Sequence, residues 1–192
     1  MRLVLGSRNS HKRRELEAIL APHELAPLPD GVELPPETGT SFADNALVKA
    51  RATAEATGEA ALGEDSGIVV PALGGSPGIR SARYAGDDAS DEENVAKLLR
   101  ELGDSGDRRA AYVCALAFAG PDSREELFQA DCRGSVAQSP RGSGGFGYDP
   151  VFLPADGPDG LTMAELEPDH KNAISHRARA ARLLLEWLSS RQ

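Results

Sequence analysis

Three acidic residues of this sequence have the chemistry needed to bind a divalent cation and activate water. Glu64 and Asp65 lie side by side in GEDSGIVV, between two apolar runs, and Glu37 lies in PPETGTSF. Mg²⁺ prefers one or two carboxylates together with water and substrate phosphate oxygens. Because carboxylates are poor strand residues, Glu64 and Asp65 also fit a solvated turn between two strands, and Glu37 also fits an ordinary exposed acid.

A polar segment, SRNSHK (residues 7–12), follows a short apolar run and precedes a helix-like pattern. At the start of a helix, backbone N–H groups and the helix dipole can bind an anion, and Lys12 would add a formal positive charge. The segment has neither the glycines nor the GK[ST] ending of a Walker loop. It also fits a polar turn in which Asn9 or Ser10 caps the helix.

A glycine-rich segment, GSGGFGYDP (residues 142–150), could bring backbone close to a flat ligand. Phe146 or Tyr148 would then be available for stacking on a base. The alternative is a flexible hairpin loop with a buried aromatic residue.

Hydrogen-bond donors are concentrated in KNAISHR (residues 171–177), which is predicted to open the last helix. Lys171, His176 and Arg177 could contact phosphate or carbonyl oxygens there. The alternative is that Ser175 simply caps the last helix. His176 has no Cys or His partner at metal-ligand spacing, so a zinc site is not indicated. A Ser–His–Asp hydrolase is not indicated either, since the sequence has no G-x-S-x-G elbow.

The elements that must position these segments follow from apolar periodicity and capping signals. A strand at residues 3–5 precedes the 7–12 loop, and the acidic pair lies between two short apolar runs. Residues 21–37 are proline-rich and favour loop or edge-strand structure. Helices are predicted over residues 12–20, 40–58, 90–103 and 175–190, and a hairpin over 109–119 and 125–137. This order predicts an α/β sheet with some antiparallel pairing.

Length and composition fit one compact domain and exclude several classes of protein. The chain has 192 residues, 40% of them hydrophobic, and its formal net charge is −9. So acidic a surface argues against binding to nucleic acid or to an anionic membrane. No run approaches the ~20 apolar residues of a membrane helix, and the apolar N-terminal run is too short for a signal peptide. Cys114 and Cys132 are predicted to be reduced thiols of a cytoplasmic protein.

Taken together, these segments indicate a Mg²⁺-dependent enzyme that acts on a nucleotide phosphate. In this order and spacing they closely resemble the ITP/XTP pyrophosphatases, which hydrolyse non-standard purine nucleoside triphosphates. The resemblance covers nearly the whole chain, from Leu3 to about Leu185, and lies in SRNSHK, ETGTSFADNALVKA, EDSGIVVPALGGSPGIRSARYAG, GSGGFGYDPVF and KNAISHR.

The resemblance implies a fold, a reaction and an assembly. The fold would be α/β, with a mixed central sheet, flanking helices and two lobes around a substrate cleft. Residues 1–192 would form a single nucleoside triphosphate pyrophosphatase domain that hydrolyses ITP, dITP or XTP to the monophosphate and pyrophosphate, with Mg²⁺ as cofactor. The family is usually homodimeric. A nucleotide-binding sensor without turnover is the alternative.

The resemblance also assigns roles to individual residues. Asp65 is similar to the family's general base, and Glu37 and Asp65 to its Mg²⁺ ligands, with Glu64 as a further candidate. Substrate contacts are implied at Ser7, Arg8, Asn9, Ser10, His11, Lys12, Lys49, Ser66, Phe146, Gly147, Tyr148, Asp149, Lys171, His176 and Arg177. Many relatives carry glycine at the positions of Arg8 and His11, and aspartate at the position of Glu64.

Overall fold

The computed structural model describes residues 1–191. Its strands are β1 (Arg2–Leu5), β2 (Glu24–Ala26), β3 (Ala61–Val69), β4 (Arg109–Ala119), β5 (Glu125–Val136) and β6 (Phe152–Pro154). Its α-helices are α1 (Ser10–Leu20), α2 (Phe42–Thr57), α3 (Asp91–Leu102), α4 (Pro168–Ile174) and α5 (His176–Ser189). Short 3-10 helices occur at Pro71–Leu73, Gly78–Arg83, Asp149–Val151 and Met163–Glu165.

Capping residues set the ends of the two longest predicted internal helices. At the start of α2, the Ser41 side chain accepts a hydrogen bond from the backbone N–H of Asp44, and at its end Gly58 adopts a left-handed conformation (φ 68°). At the start of α3, Ser90 and Glu93 form a reciprocal capping box. Both helices therefore begin and end close to where the sequence predicts.

The six strands form one sheet in the order β2-β1-β3-β4-β5-β6. Strand β1 is parallel to β2 and to β3, with Leu5 opposite Leu62. At the other edge β5 is antiparallel to β6, with Val136 opposite Phe152. The predicted mixed α/β fold is therefore confirmed, and β2 is the edge strand that the proline-rich segment favoured.

The chain divides into two compact units. The first unit contains residues 1–65, 114–130 and Arg177 onward, and the second contains residues 66–113 and 131–176. The boundaries fall within β3, β4 and β5 and at the first residue of α5. Each unit has its own core.

In the first unit, leucines of β1, α1 and β3 pack with aromatic residues of β4 and β5 and with the inner face of α5, including Leu184 and Leu188. A second cluster of the same unit consists mainly of alanines of α2, β3 and β4. In the second unit the core contains Ile68, Leu98, Tyr112, Tyr148 and Phe152, among others. Because these side chains are small, α2 lies close to β3 and β4.

Three sequence expectations need correction. Glu64 and Asp65 do not form a turn, because β3 runs without interruption from Ala61 to Val69. The KNAISHR segment does not open one helix, because Lys171 lies in α4 and a new helix starts at His176. The glycine-rich segment at residues 142–150 leads into a sheet strand, β6, that the sequence did not reveal.

Two compositional expectations can be compared with the described residues. Cys114 and Cys132 are both buried and neither forms a disulfide, as predicted. Among residues 1–191, no helix has the length and apolar character required to cross a bilayer.

Candidate active site

The acidic pair of β3 supplies two different environments. Neighbouring side chains of a strand point to opposite faces, so Glu64 and Asp65 cannot share one set of partners. Both carboxylates are nonetheless buried, with exposed fractions of 0% for Glu64 and 5% for Asp65. Buried charge is costly unless it is paired and hydrogen-bonded, so the partners of each residue indicate its role.

Asp65 is held by two residues of α2. The Asn45 Nδ2 donates to Asp65 Oδ2 at 2.9 Å, and the Lys49 Nζ lies 3.7 Å from Asp65 Oδ1. Asn45 and Lys49 are four residues apart and so share one face of the helix. The same Lys49 Nζ donates to Glu37 Oε1 at 2.7 Å. Two carboxylates therefore converge on one buried ammonium group.

Gly63 allows α2 to lie directly against β3. A Cβ atom at this position would lie 2.0 Å from the Ala46 carbonyl oxygen and 2.5 Å from the Ala50 backbone nitrogen. Such contacts are shorter than any real Cβ contact, so only glycine fits without displacing the helix. The close approach brings Asn45 and Lys49 within reach of Asp65.

The environment of Asp65 suits a group that accepts a proton. Burial raises the pKa of its carboxyl above the usual value, and the nearby charge of Glu37 acts in the same direction. The charges of Lys49 and Lys12 and the hydrogen bond from Asn45 oppose this rise without cancelling it. A carboxylate with a raised pKa is a stronger base than an ordinary aspartate.

Glu64 is part of a separate buried ion-pair network. Its Oε2 lies 2.7 Å from the Lys12 Nζ, and its Oε1 lies 3.1 Å from the Arg177 Nη2. Arg177 also donates to Glu15 of α1, and the Cys114 thiol lies 3.6 Å from Glu64 Oε1. Burial lowers the pKa of Arg177, but the charges of Glu64 and Glu15 outweigh this effect and raise it overall. Lys12 and Arg177 are thus ordered by carboxylates.

The fit of these residues to a divalent cation differs between the two faces. Glu37 and Asp65 are hard oxygen donors that lie close to the same ammonium group, and two carboxylates completed by phosphate oxygens suit Mg²⁺. Glu64 does not fit, because cations already contact both of its oxygens. Within residues 1–191, no three His, Cys, Asp or Glu side chains form a metal-binding group.

The 7–12 loop has the internal structure of a helix start. Asn9 caps α1 by accepting from the backbone N–H groups of His11 and Lys12, and its own N–H donates to Ser7 Oγ. The Arg8 guanidinium donates to the Val32 carbonyl at 2.8 Å, so this side chain holds the proline-rich segment. The capping interpretation is therefore correct, and Lys12, in the first turn of α1, is the residue of this segment that contacts Glu64.

The second unit contains a different cluster, centred on Asp149. Its Oδ2 accepts from the Lys171 Nζ at 2.6 Å and from the Phe146 backbone N–H at 2.9 Å. Its Oδ1 accepts from the Tyr112 hydroxyl at 3.1 Å. The Lys171 Nζ also lies 5.1 Å from the centre of the Phe146 ring. The Tyr112 ring is stacked on the imidazole of His176, with centroids 4.6 Å apart and planes 8° apart.

Two other residues of the glycine-rich loop have supporting contacts. Tyr148 is buried in the core of the second unit and donates its hydroxyl to the Ser81 carbonyl at 2.8 Å. The Gly147 N–H donates to Asp91 Oδ2 at 2.6 Å. These contacts fix Gly147 and Tyr148, whereas the ring of the half-buried Phe146 lies next to the Lys171 ammonium group.

The predicted site residues are divided between the two units. Lys12, Glu37, Lys49, Asp65 and Arg177 lie in the first unit, where Ser7, Arg8, Asn9, Ser10, His11 and Glu64 also lie. Phe146, Gly147, Tyr148, Asp149, Lys171 and His176 lie in the second, together with the half-buried Ser66.

Sequence reasoning did not anticipate Glu15 as a partner of Arg177, Asn45 as a partner of Asp65 or Tyr112 as a partner of Asp149. Only Tyr112 carried a usable signal. A tyrosine at an inward position of a strand needs a buried partner for its hydroxyl.

Fold and site together define an α/β protein with a buried carboxylate–lysine centre at the middle of a mixed sheet. The Ham1 family profile matches residues 3–187, and the chain belongs to the Ham1 family. It is similar to the dITP/XTP pyrophosphatase of Synechococcus sp., with 50% identity over 95% of this chain and 87% of the relative. It is 48% identical to the dITP/XTP pyrophosphatase of Geobacter sulfurreducens, over 97% of this chain and 96% of that protein.

Solved structures agree with the fold. The Ham1 protein of Staphylococcus aureus superposes with a TM-score of 0.89 at 37% identity, covering 100% of both chains. The nucleoside-triphosphatase/dITP/XTP pyrophosphatase of Mycobacterium abscessus gives a TM-score of 0.76 at 44% identity, over 96% of this chain and 99% of that one.

Proposed function

We propose that this protein is a nucleoside triphosphate pyrophosphatase that removes ITP, dITP and XTP from the nucleotide pool by hydrolysing them to the monophosphate and pyrophosphate. The observation that carries the proposal is the buried Asp65 carboxylate, held by Asn45 and Lys49 beside a second carboxylate, Glu37. The relatives named dITP/XTP pyrophosphatase, which cover nearly the whole chain, support the substrate class.

The proposed chemistry takes place on residues of the first unit. Water attacks the α-phosphorus, the bond to the bridging oxygen breaks, and pyrophosphate leaves. Asp65 accepts the proton of the attacking water, while the hydrogen bond from Asn45 fixes the orientation of the carboxylate. Lys12, Lys49 and Arg177 stabilise the negative charge that develops on the leaving pyrophosphate. Their ion pairs with carboxylates hold these cations in place before substrate binds.

Glu37 and Asp65 are the residues that we propose to hold Mg²⁺, because both are oxygen donors close to the phosphate-binding lysines. When bound, the cation would neutralise charge on the triphosphate. Glu64 is left out of this proposal because its oxygens face Lys12 and Arg177.

We assign recognition of the base to the Asp149 cluster of the second unit. Phe146 supplies a ring for stacking, and His176 supplies a donor for the 6-oxo group of hypoxanthine or xanthine. Adenine carries an amino group at that position, which would leave a buried donor without an acceptor and so disfavour ATP.

The proposed activity is tested by measuring pyrophosphate release from ITP, dITP, XTP, GTP and ATP with added Mg²⁺. We expect turnover of the first three and a kcat/KM for ATP at least about 100-fold lower, since a mismatched polar group discriminates strongly. GTP belongs in the series because it shares the 6-oxo group.

Orthophosphate as the product, or equal rates for ATP and ITP, would contradict the assignment. Tight binding of ITP without release of pyrophosphate would favour the alternative, a nucleotide sensor. The homodimer implied by the sequence resemblance is a further prediction, which sedimentation equilibrium would test.

The lysine beside Asp65 should control how activity depends on pH. Asp65 must be ionised to accept a proton, and the charge of Lys49 lowers its pKa. In Lys49→Met the pKa of Asp65 should therefore rise, and the acidic limb of the kcat/KM profile should move to higher pH. The maximal kcat/KM of this variant should fall as well, because Lys49 is also a proposed phosphate contact.

The measurement that matters is the pH at which the acidic limb of kcat/KM lies in Lys49→Met. The control is Lys97→Met, which changes a lysine of α3 that contacts Tyr84. The Lys97 variant should keep the wild-type profile. A limb that stays in place or moves to lower pH in Lys49→Met would refute the role of Asp65 as the base.

A further inference from the structure

Tyr112 contacts both Asp149 and His176, the two polar residues of the second unit to which we assign recognition of the base. It lies on β4 with only 7% of its surface exposed. Its hydroxyl donates to Asp149 Oδ1, and one ring face is stacked on the His176 imidazole. The Phe152 ring also lies 4.6 Å from it, tilted by 52°. Tyr112 is therefore held by aromatic neighbours with its hydroxyl aimed at a buried carboxylate.

Asp149 itself acts through other groups. It is 3% exposed and accepts hydrogen bonds from the Tyr112 hydroxyl, the Lys171 ammonium and the Phe146 backbone N–H. Hydrogen bonds to a buried charged group are stronger than those between neutral groups. Displacing this carboxylate would therefore displace both Phe146, the proposed stacking ring, and Lys171.

We infer that Tyr112 is a positioning residue for base recognition: its hydroxyl fixes the Asp149 carboxylate and, through it, Phe146 and Lys171, while its ring fixes the plane of the His176 imidazole. The inference rests on the proposed function, since it concerns how that function selects its base. It assigns a role in specificity to a residue that does not belong to any of the sequence segments carrying the family resemblance.

A purely structural role explains the tyrosine less well. A phenylalanine would supply the same ring to Phe152 and His176 without burying a hydroxyl group. Burying a hydroxyl costs free energy unless it finds a partner, and here the partner is a carboxylate that also binds two other groups. The hydroxyl therefore adds order to the cluster beyond the packing of the ring.

The test compares Tyr112→Phe, which removes the hydroxyl and keeps the ring, with Tyr112→Leu, which removes both. In Tyr112→Phe we expect the KM for ITP to rise about 10-fold while kcat stays within about 2-fold, because the lost interaction contributes to binding rather than to the chemical step. Tyr112→Leu should raise KM further. Inhibition by inorganic tripolyphosphate, which has no base, should be unchanged in Tyr112→Phe.

Tyr84→Phe is the matched control, since it deletes a tyrosine hydroxyl of the same unit whose partner, Glu101, lies on α3. It should leave the KM for ITP unchanged. NMR provides a second readout. The His176 ring protons should show the upfield shift of a stacked ring in wild type and in Tyr112→Phe, and lose it in Tyr112→Leu.

Two results would overturn the inference. One is a KM for ITP in Tyr112→Phe within 2-fold of wild type, and the other is a parallel loss of tripolyphosphate inhibition, which would indicate general disruption.

If wild type does not release pyrophosphate from ITP, the proposed function fails by itself. Calorimetric binding of inosine monophosphate then decides: weaker binding to Tyr112→Phe supports the role of Tyr112, and equal or absent binding to wild type and variant refutes it.

Discussion

Asp65→Asn is expected to reduce kcat for ITP hydrolysis by roughly 10²–10⁴-fold, the usual contribution of a general base. Asparagine has the same shape but cannot accept the proton of the attacking water. Its amide oxygen can still accept the hydrogen bond from Asn45, so the local structure should be retained. Measured by pyrophosphate release and by nucleotide binding, the variant should bind ITP and turn it over slowly.

The stability of Asp65→Asn provides an independent check. Because burial raises the pKa of Asp65, the folded protein holds this proton more tightly than the unfolded chain does. Ionisation of Asp65 therefore lowers the free energy of unfolding as pH rises through its titration range. At neutral pH the asparagine variant should be at least as stable as wild type in urea.

Asp122→Asn, at an exposed pair with Arg124, is the control and should change neither activity nor stability by much. Unimpaired kcat in Asp65→Asn would exclude Asp65 as the base. A large loss of stability would show that its carboxylate is structural.

Glu64→Gln is expected to have the largest effect on stability, a loss of about 3–5 kcal/mol in the free energy of unfolding. Glu64 is fully buried and pairs with Lys12 and Arg177, of which Arg177 is almost fully buried as well. Glutamine keeps the shape but removes the negative charge, so the cations of Lys12 and Arg177 lose a shared partner. Urea unfolding monitored by circular dichroism would measure the loss.

Glu24→Gln is the matched control, because Glu24 also pairs with an arginine of the first unit but is 67% exposed. Exposed pairs contribute about 0–1 kcal/mol, so this variant should unfold almost as wild type does. A loss of stability in Glu64→Gln no greater than that in Glu24→Gln would contradict the importance of the buried network.

The Glu64→Gln variant also distinguishes two possible roles of Glu64, the ordering of cations and the binding of metal. If Glu64 orders cations and does not bind metal, the Mg²⁺ concentration giving half-maximal activity should be unchanged in Glu64→Gln and raised in Glu37→Gln. An equal shift in both variants would return Glu64 to the set of metal ligands.

Local signals predicted most of the fold. Capping residues such as Ser41 and Ser90 marked helix starts to within two residues, because a cap involves only neighbours in sequence. The edge strand β6 was not predicted, because it has only three residues, follows a glycine-rich loop and is defined by its pairing with β5. Helix α4 (Pro168–Ile174) was not predicted, whereas the last helix was predicted to start at residue 175, one residue before α5 does.

The candidate site was predictable in its residues but not in their pairing. The segment GEDSGIVV favours a turn because carboxylates are poor strand residues, yet each acid has a buried partner from another element of the fold. Asp65 is paired through Asn45 of α2, and Glu64 through Arg177, which is 113 residues away. Such pairing depends on which elements pack together, and no local pattern encodes it. The opposite orientation of the two acids, by contrast, follows once a strand is assumed.

The acidic pair lies between two glycines, Gly63 and Gly67, that have no room for a side chain. Gly63 meets the backbone of α2, and a Cβ at Gly67 would lie 2.3 Å from Ser81 Oγ and 2.6 Å from the Gly78 carbonyl oxygen. In a saturation mutagenesis library scored by activity, both positions should therefore be as intolerant as Asp65, although neither glycine has a group that can take part in the reaction. A map of intolerant positions would then outline the packing around the base as well as the base itself, and only variants scored separately for abundance would tell the two apart.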